Sequence, residues 1–140
     1  MSNILFEFNV DAPIEKAYQA LTEKAGVQGW WTNDTRIEAS EGAEAYFGFG
    51  QGHFLFTITK LKANERIEWE TVEGMPDWGG TQVVFTLKPA EEGGGTSIHF
   101  AHRNFASEEG TFAMVAYNWA FFLFSLKAYL ETGTGTPVSV

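Results

Sequence analysis

From Asn33 to Arg103 apolar and polar residues alternate with a period of two, and this run constrains the fold more than any other feature. A period of two puts alternate side chains on opposite faces of a strand, so the run reads as β-structure with one buried face. Turn signals divide it into six strands, near Thr35–Ala39, Ala43–Phe49, Phe54–Lys62, Arg66–Val72, Thr81–Pro89 and Thr96–Arg103. The signals are Glu41-Gly42, Gly50-Gln51-Gly52, Ala63-Asn64-Glu65 and the stretch from Glu91 to Gly95. Such short links join antiparallel neighbours, so a meander is expected. The longer link from Glu73 to Gly80, with Met75-Pro76-Asp77-Trp78, should loop over an edge or an opening.

Different periods flank this run. Ile4, Phe6, Phe8 and Val10 alternate with Leu5, Glu7 and Asn9 as a half-buried strand. Pro13 then sits at a helix start, where its missing N–H costs nothing, and Ile14, Ala17, Tyr18 and Leu21 follow at helical spacing. Lys24 to Trp31 suits a second short helix. After Ser107 the pattern is helical to Glu131 and is closed by Gly133, a helix of roughly 36 Å at 1.5 Å per residue. The expected architecture is α+β, in the order β-α-α-β-β-β-β-β-β-α. A curved antiparallel sheet of about seven strands would hold the long C-terminal helix against its concave face. Residues 1–133 should form one domain and residues 134–140 a flexible tail. A cavity between sheet and helix is the expected functional site.

Charge and composition exclude several classes. The chain has 140 residues, 44% hydrophobic and 16% aromatic, which suits one well-filled core. Nine Lys and Arg against eighteen Asp and Glu leave a net charge of −9. That balance argues against nucleic acid and against docking on an anionic membrane. There is no cysteine, hence no disulfide and no thiolate ligand. The first residues do not resemble a signal peptide, and the longest apolar run, Trp119 to Phe124, cannot insert into a bilayer. A cytoplasmic protein is expected.

Few residues suggest chemistry. His99 and His102 stand three apart on a strand, so they face opposite ways and no metal site is expected. Ile98, Phe100 and His102 should face inward, where His102 could orient a ligand or serve as a core histidine with a satisfied ring. The glycines of Gly48 to Gly52 precede a strand and read as a hairpin turn rather than a nucleotide loop. Glu68 and Glu70 should point to water. No Gly-x-Ser-x-Gly elbow is present. The aromatic residues are the strongest signal. Phe47, Phe56, Trp69, Phe85 and Phe100 take inward strand positions and Trp119 and Phe122 the facing stripe of the last helix. With His102 they would line a pocket whose mouth carries Trp30, Trp31 and Trp78. Met114, Tyr117, Phe121 and Phe124 fall on the opposite side of that helix, so it is apolar nearly all round. Such a helix is usually buried on both sides, which predicts a homodimer interface there.

A family resemblance adds to this reading. Asp11 to Thr22 followed by Gly29-Trp30-Trp31 resembles the opening of START-like, helix-grip (SRPBCC) domains, and Gly95-Thr96 with Phe100 and His102 resembles their last strand. Asn118 to Gly133 closely resembles the last helix of the branch named after the activator of the heat-shock-protein-90 ATPase. The resemblance implies a helix-grip fold with a cavity for apolar ligands, including lipids, and a tie to stress response. It implies far less about activity. The expected function is non-enzymatic binding of a small hydrophobic molecule, as carrier or sensor, without cofactor. One alternative is a cyclase, dehydratase or hydrolase in the same cavity, with His102 working beside Tyr46, Tyr117 or Asp77. Another is a chaperone-related interaction module, although nothing here resembles the separate N-terminal domain of the full-length activators.

Overall fold

The computed structural model describes residues 1–140. The elements follow the expected order: β1 (Ser2–Val10), α1 (Ile14–Thr22), α2 (Lys24–Trp30), β2 (Asp34–Ile37), β3 (Glu44–Gly48), β4 (His53–Lys62), β5 (Arg66–Glu73), β6 (Gln82–Pro89), β7 (Thr96–Phe105) and α3 (Phe112–Thr132). All pairings are antiparallel, in the order β1-β7-β6-β5-β4-β3-β2. β2 to β7 are thus the expected meander, and β1 joins beyond β7, placing Phe6 opposite Phe100 and Ile4 opposite His102. Register shifts at Leu55/Phe56 and Ile58/Lys60 bend β4. This is the helix-grip architecture, with α3 held against the concave face.

Alternation decides which side chains fill that face. Phe47, Phe56, Trp69, Phe85, Phe100 and His102 are all buried, and Val115, Trp119, Leu123 and Leu126 of α3 meet them. Each large side chain removed from water contributes about 1.5–3 kcal/mol, so these rings dominate the driving force. α1 and α2 close one end of the groove. Gly29 permits this approach, since a Cβ there would overlap the Tyr129 ring of α3.

Two expectations are corrected. α3 begins at Phe112 rather than just after Ser107, because Gly110 at φ +77° and the Asp77 carboxylate, which accepts the Thr111 N–H, hold the preceding residues in a turn. The tail is tied down rather than loose. Beyond Gly133, left-handed at φ +87°, Val138 makes a parallel bridge with Thr32. The Thr136 N–H donates to Ser125 Oγ at 2.7 Å and the Val138 N–H to the Trp31 carbonyl at 2.8 Å. The tail thereby satisfies backbone groups around the outer strand β2 that the meander leaves unpaired. No helix is long and apolar enough to cross a membrane.

Candidate ligand-binding site

An open cleft of about 490 Å³ lies between the β3–β4 hairpin, the loop after β5 and the first half of α3. The hairpin contributes Phe49, His53 and Phe54, the loop Met75 and Trp78, and α3 Val115, Asn118, Trp119 and Phe122. Trp31, just past α2, forms part of the wall. It lies parallel to Trp30 (5.6 Å between ring centres, 6°) and to Trp69 (6.2 Å, 9°), which locks its plane. Trp78 packs on Phe54 at 4.4 Å. Gly74 lets the loop lie flat on the Trp78 ring, where a Cβ would collide.

The loop is anchored at two adjacent residues, Asp77 and Trp78. The Trp78 carbonyl accepts the Thr81 hydroxyl at 2.6 Å. Asp77 takes two hydrogen bonds from Thr111, from its backbone N–H at 2.9 Å and from its hydroxyl, which pins the loop to the start of α3. Burial pushes the Asp77 carboxyl up, but the Thr111 hydrogen bonds to its charged form outweigh this and hold it below the usual carboxylate range. The indole N–H groups of Trp69 and Trp78 are buried without a protein acceptor.

His102 belongs to the core. Its Nδ1 accepts the Trp119 indole N–H at 3.1 Å, so the ring proton sits on Nε2 and donates to Thr81 Oγ1 at 3.0 Å. Burial lowers its pKa to about 3, against a weaker upward pull from Asp77. The imidazole is neutral with both nitrogens occupied, and neither is free for a substrate proton. His99, on the other face, lies 3.4 Å from Glu7.

Of the eleven expected lining residues, Trp31, Trp78, Trp119 and Phe122 come together around the cleft. The other seven are corrected. Trp30, Phe47, Phe56, Trp69, Phe85, Phe100 and His102 fill the interior against one another and leave the space to an opening at one end. Trp30 is anchored by its indole N–H on the Ala20 carbonyl. Sequence reasoning did not assign Phe49, His53, Phe54, Met75, Val115 or Asn118 to the pocket, although Phe49 and Phe54 take inward strand positions and Val115 lies on the sheet-facing stripe of the last helix. The signal was present in the aromatic pair flanking the Gly50–Gly52 turn, facing the one long loop. Glu68 does not simply point to water, because it pairs with Arg66 and lies 3.8 Å from Arg103. Tyr46 stacks on His53 and Tyr117 is exposed on the far side of α3, so neither joins His102. Met114, Tyr117, Phe121 and Phe124 are exposed on the outer face of α3.

Comparison with known proteins agrees with this architecture. No curated protein matches the chain. Among solved structures, the Aha1 dimer from Colwellia psychrerythraea is 38% identical, with a TM-score of 0.87 over 96% of this chain and 100% of that one. A protein from Staphylococcus saprophyticus superposes with a TM-score of 0.79 at 19% identity, covering 96% of each chain. DynU16, from the dynemicin biosynthetic locus, gives 0.80 at 22% identity over 96% of this chain and 49% of that one. The last two identities speak for fold alone. The model of the activator of Hsp90 ATPase homolog 1-like proteins matches residues 11–131, and the chain belongs to that family.

Proposed function

We propose that this protein binds a small, largely apolar molecule in the cleft beside α3 and releases it unchanged. The observation that carries this reading is the wall itself, aromatic on three sides, with His53 and Asn118 as its polar side chains apart from indole N–H groups. A few polar groups in an apolar concavity suit recognition of one end of a ligand. The Asn118 amide and the His53 ring can donate hydrogen bonds, which favours a ligand that carries an oxygen acceptor. The state of His102 weighs against acid–base catalysis, since both ring nitrogens are committed.

Decanoate, with an alkyl chain and a carboxylate, is a suitable probe. At a hundredfold excess over its dissociation constant a ligand stabilises the fold by about 2.7 kcal/mol, so the melting temperature should rise by several degrees. Met75→Glu, on the loop, should abolish the rise while the free protein stays folded, with its circular dichroism spectrum unchanged. Native mass spectrometry of freshly purified protein should show a bound small molecule. No bound mass, together with no thermal response to decanoate, would overturn the reading.

We also propose that the cytoplasmic form is a homodimer through the outer face of α3. Tyr117 and Phe124 are 77% and 73% exposed there, more than isolated aromatic residues on a monomer surface require. The Colwellia relative is a dimer, which supports a dimeric state for this chain. Sedimentation equilibrium at micromolar concentration should give twice the chain mass, and a single-chain mass would refute the dimer.

A further inference from the structure

We propose that the outer face of α3 carries a knob and its flank toward β1 a matching hole, and that Tyr117 of each copy seats in the hole of the other. The inference rests on the α3 dimer proposed above and names the contact that would hold it. Ala120, Leu123, Phe124 and Lys127 stand at i, i+3, i+4 and i+7, the four corners that receive one side chain from a facing helix. With Phe6 and Phe8 of β1 they enclose a groove of about 160 Å³. An apolar void of about 150 Å³ takes up a benzene ring.

The chemistry of the groove matches a phenol better than a phenyl ring. Its floor is apolar, while Lys127 stands at its margin, its ammonium donating to the Asn9 carbonyl. A tyrosine would bury its ring on the floor and keep its hydroxyl at the polar edge. Tyr117 is the most exposed aromatic side chain of α3.

Symmetry and charge agree with this pairing. In an antiparallel helix pair, a twofold axis at Ala120 sets Tyr117 opposite the partner's Leu123, at the centre of the hole. The same axis sets Phe124 opposite the partner's Ala116, large against small. Ala113, Ala116 and Ala120 share the flank and leave room for close approach of the helices. Two chains of net charge −9 repel, so contact is favoured where charge is low. The whole of α3 carries only Lys127 and Glu131, and these pair with each other at 2.8 Å.

The absence of cysteine makes the test direct. Ala120→Cys, treated with a short bis-maleimide, should give a covalent dimer, while Leu5→Cys on the opposite, exposed face of the sheet should not. By sedimentation, Tyr117→Ala should weaken the dimer by about tenfold or more. Ala120→Trp, which fills the hole, should do the same with the circular dichroism spectrum unchanged. A wild-type protein that stays monomeric at tens of micromolar would overturn this inference and the dimer together. A wild-type dimer with no Ala120→Cys cross-link and no response to Tyr117→Ala would overturn the knob-and-hole contact and leave a dimer through another surface.

Discussion

His102 shows how far one side chain can be committed. Its ring accepts from Trp119 and donates to Thr81, and the Thr81 hydroxyl donates onward to the Trp78 carbonyl, so Thr71 must donate to Thr81 at 2.9 Å. Protonating Nδ1 would break the Trp119 bond and bury a charge. The folded pKa of about 3 lies below the ordinary value of 6.5, so between these limits the unfolded chain holds a proton that the folded chain does not. This contribution to stability is full above pH 6.5 and is lost as pH falls toward 3, by up to about 1.4 kcal/mol per unit. Urea unfolding should therefore show a loss of about 2 kcal/mol from pH 7 to pH 5. His102→Gln, less stable at pH 7, should show a flatter dependence over that interval. Equal slopes in the two proteins would refute the assignment. The inward direction of His102 was legible from the period of two; its partners, twenty or so residues away along the chain, were not.

At the scale of elements, the C-terminal segment braces the cleft although it does not line it. Residues 136–140 hydrogen-bond to Trp31, Asn33 and Ser125, and the Trp31 ring is one wall of the site. Removing residues 134–140 should cost about 2–4 kcal/mol, from three or four lost hydrogen bonds at about 1 kcal/mol each. It should also weaken decanoate binding, because Trp31 loses its backbone anchor. A truncated protein with unaltered melting temperature and affinity would contradict this. The strands were legible because a half-buried sheet imprints its period on the sequence. The tail was not, because Thr136, Val138 and Val140 bond to residues about a hundred positions earlier or to a buried serine, and no local pattern marks such contacts. The start of α3 was missed for the same reason, since the carboxylate that fixes it comes from the loop after β5.

For the whole molecule, periodicity could place the aromatic residues inside but could not divide them between core and cleft, since both require an inward position. That division depends on how tightly the sheet bends and where the loop at Met75 comes to rest, which are properties of the assembled chain. The strand order has a further consequence during synthesis. β1 is made first, yet its only sheet partner is β7, which starts at Thr96. At 5–20 residues per second, Ile4, Phe6, Phe8 and Val10 leave the ribosome roughly 5–20 seconds before anything can pair with them. The sheet cannot close until β7 has been made, and α3 comes later still. The nascent protein thus has an interval in which its first strand is most exposed to aggregation or to capture by cellular folding factors.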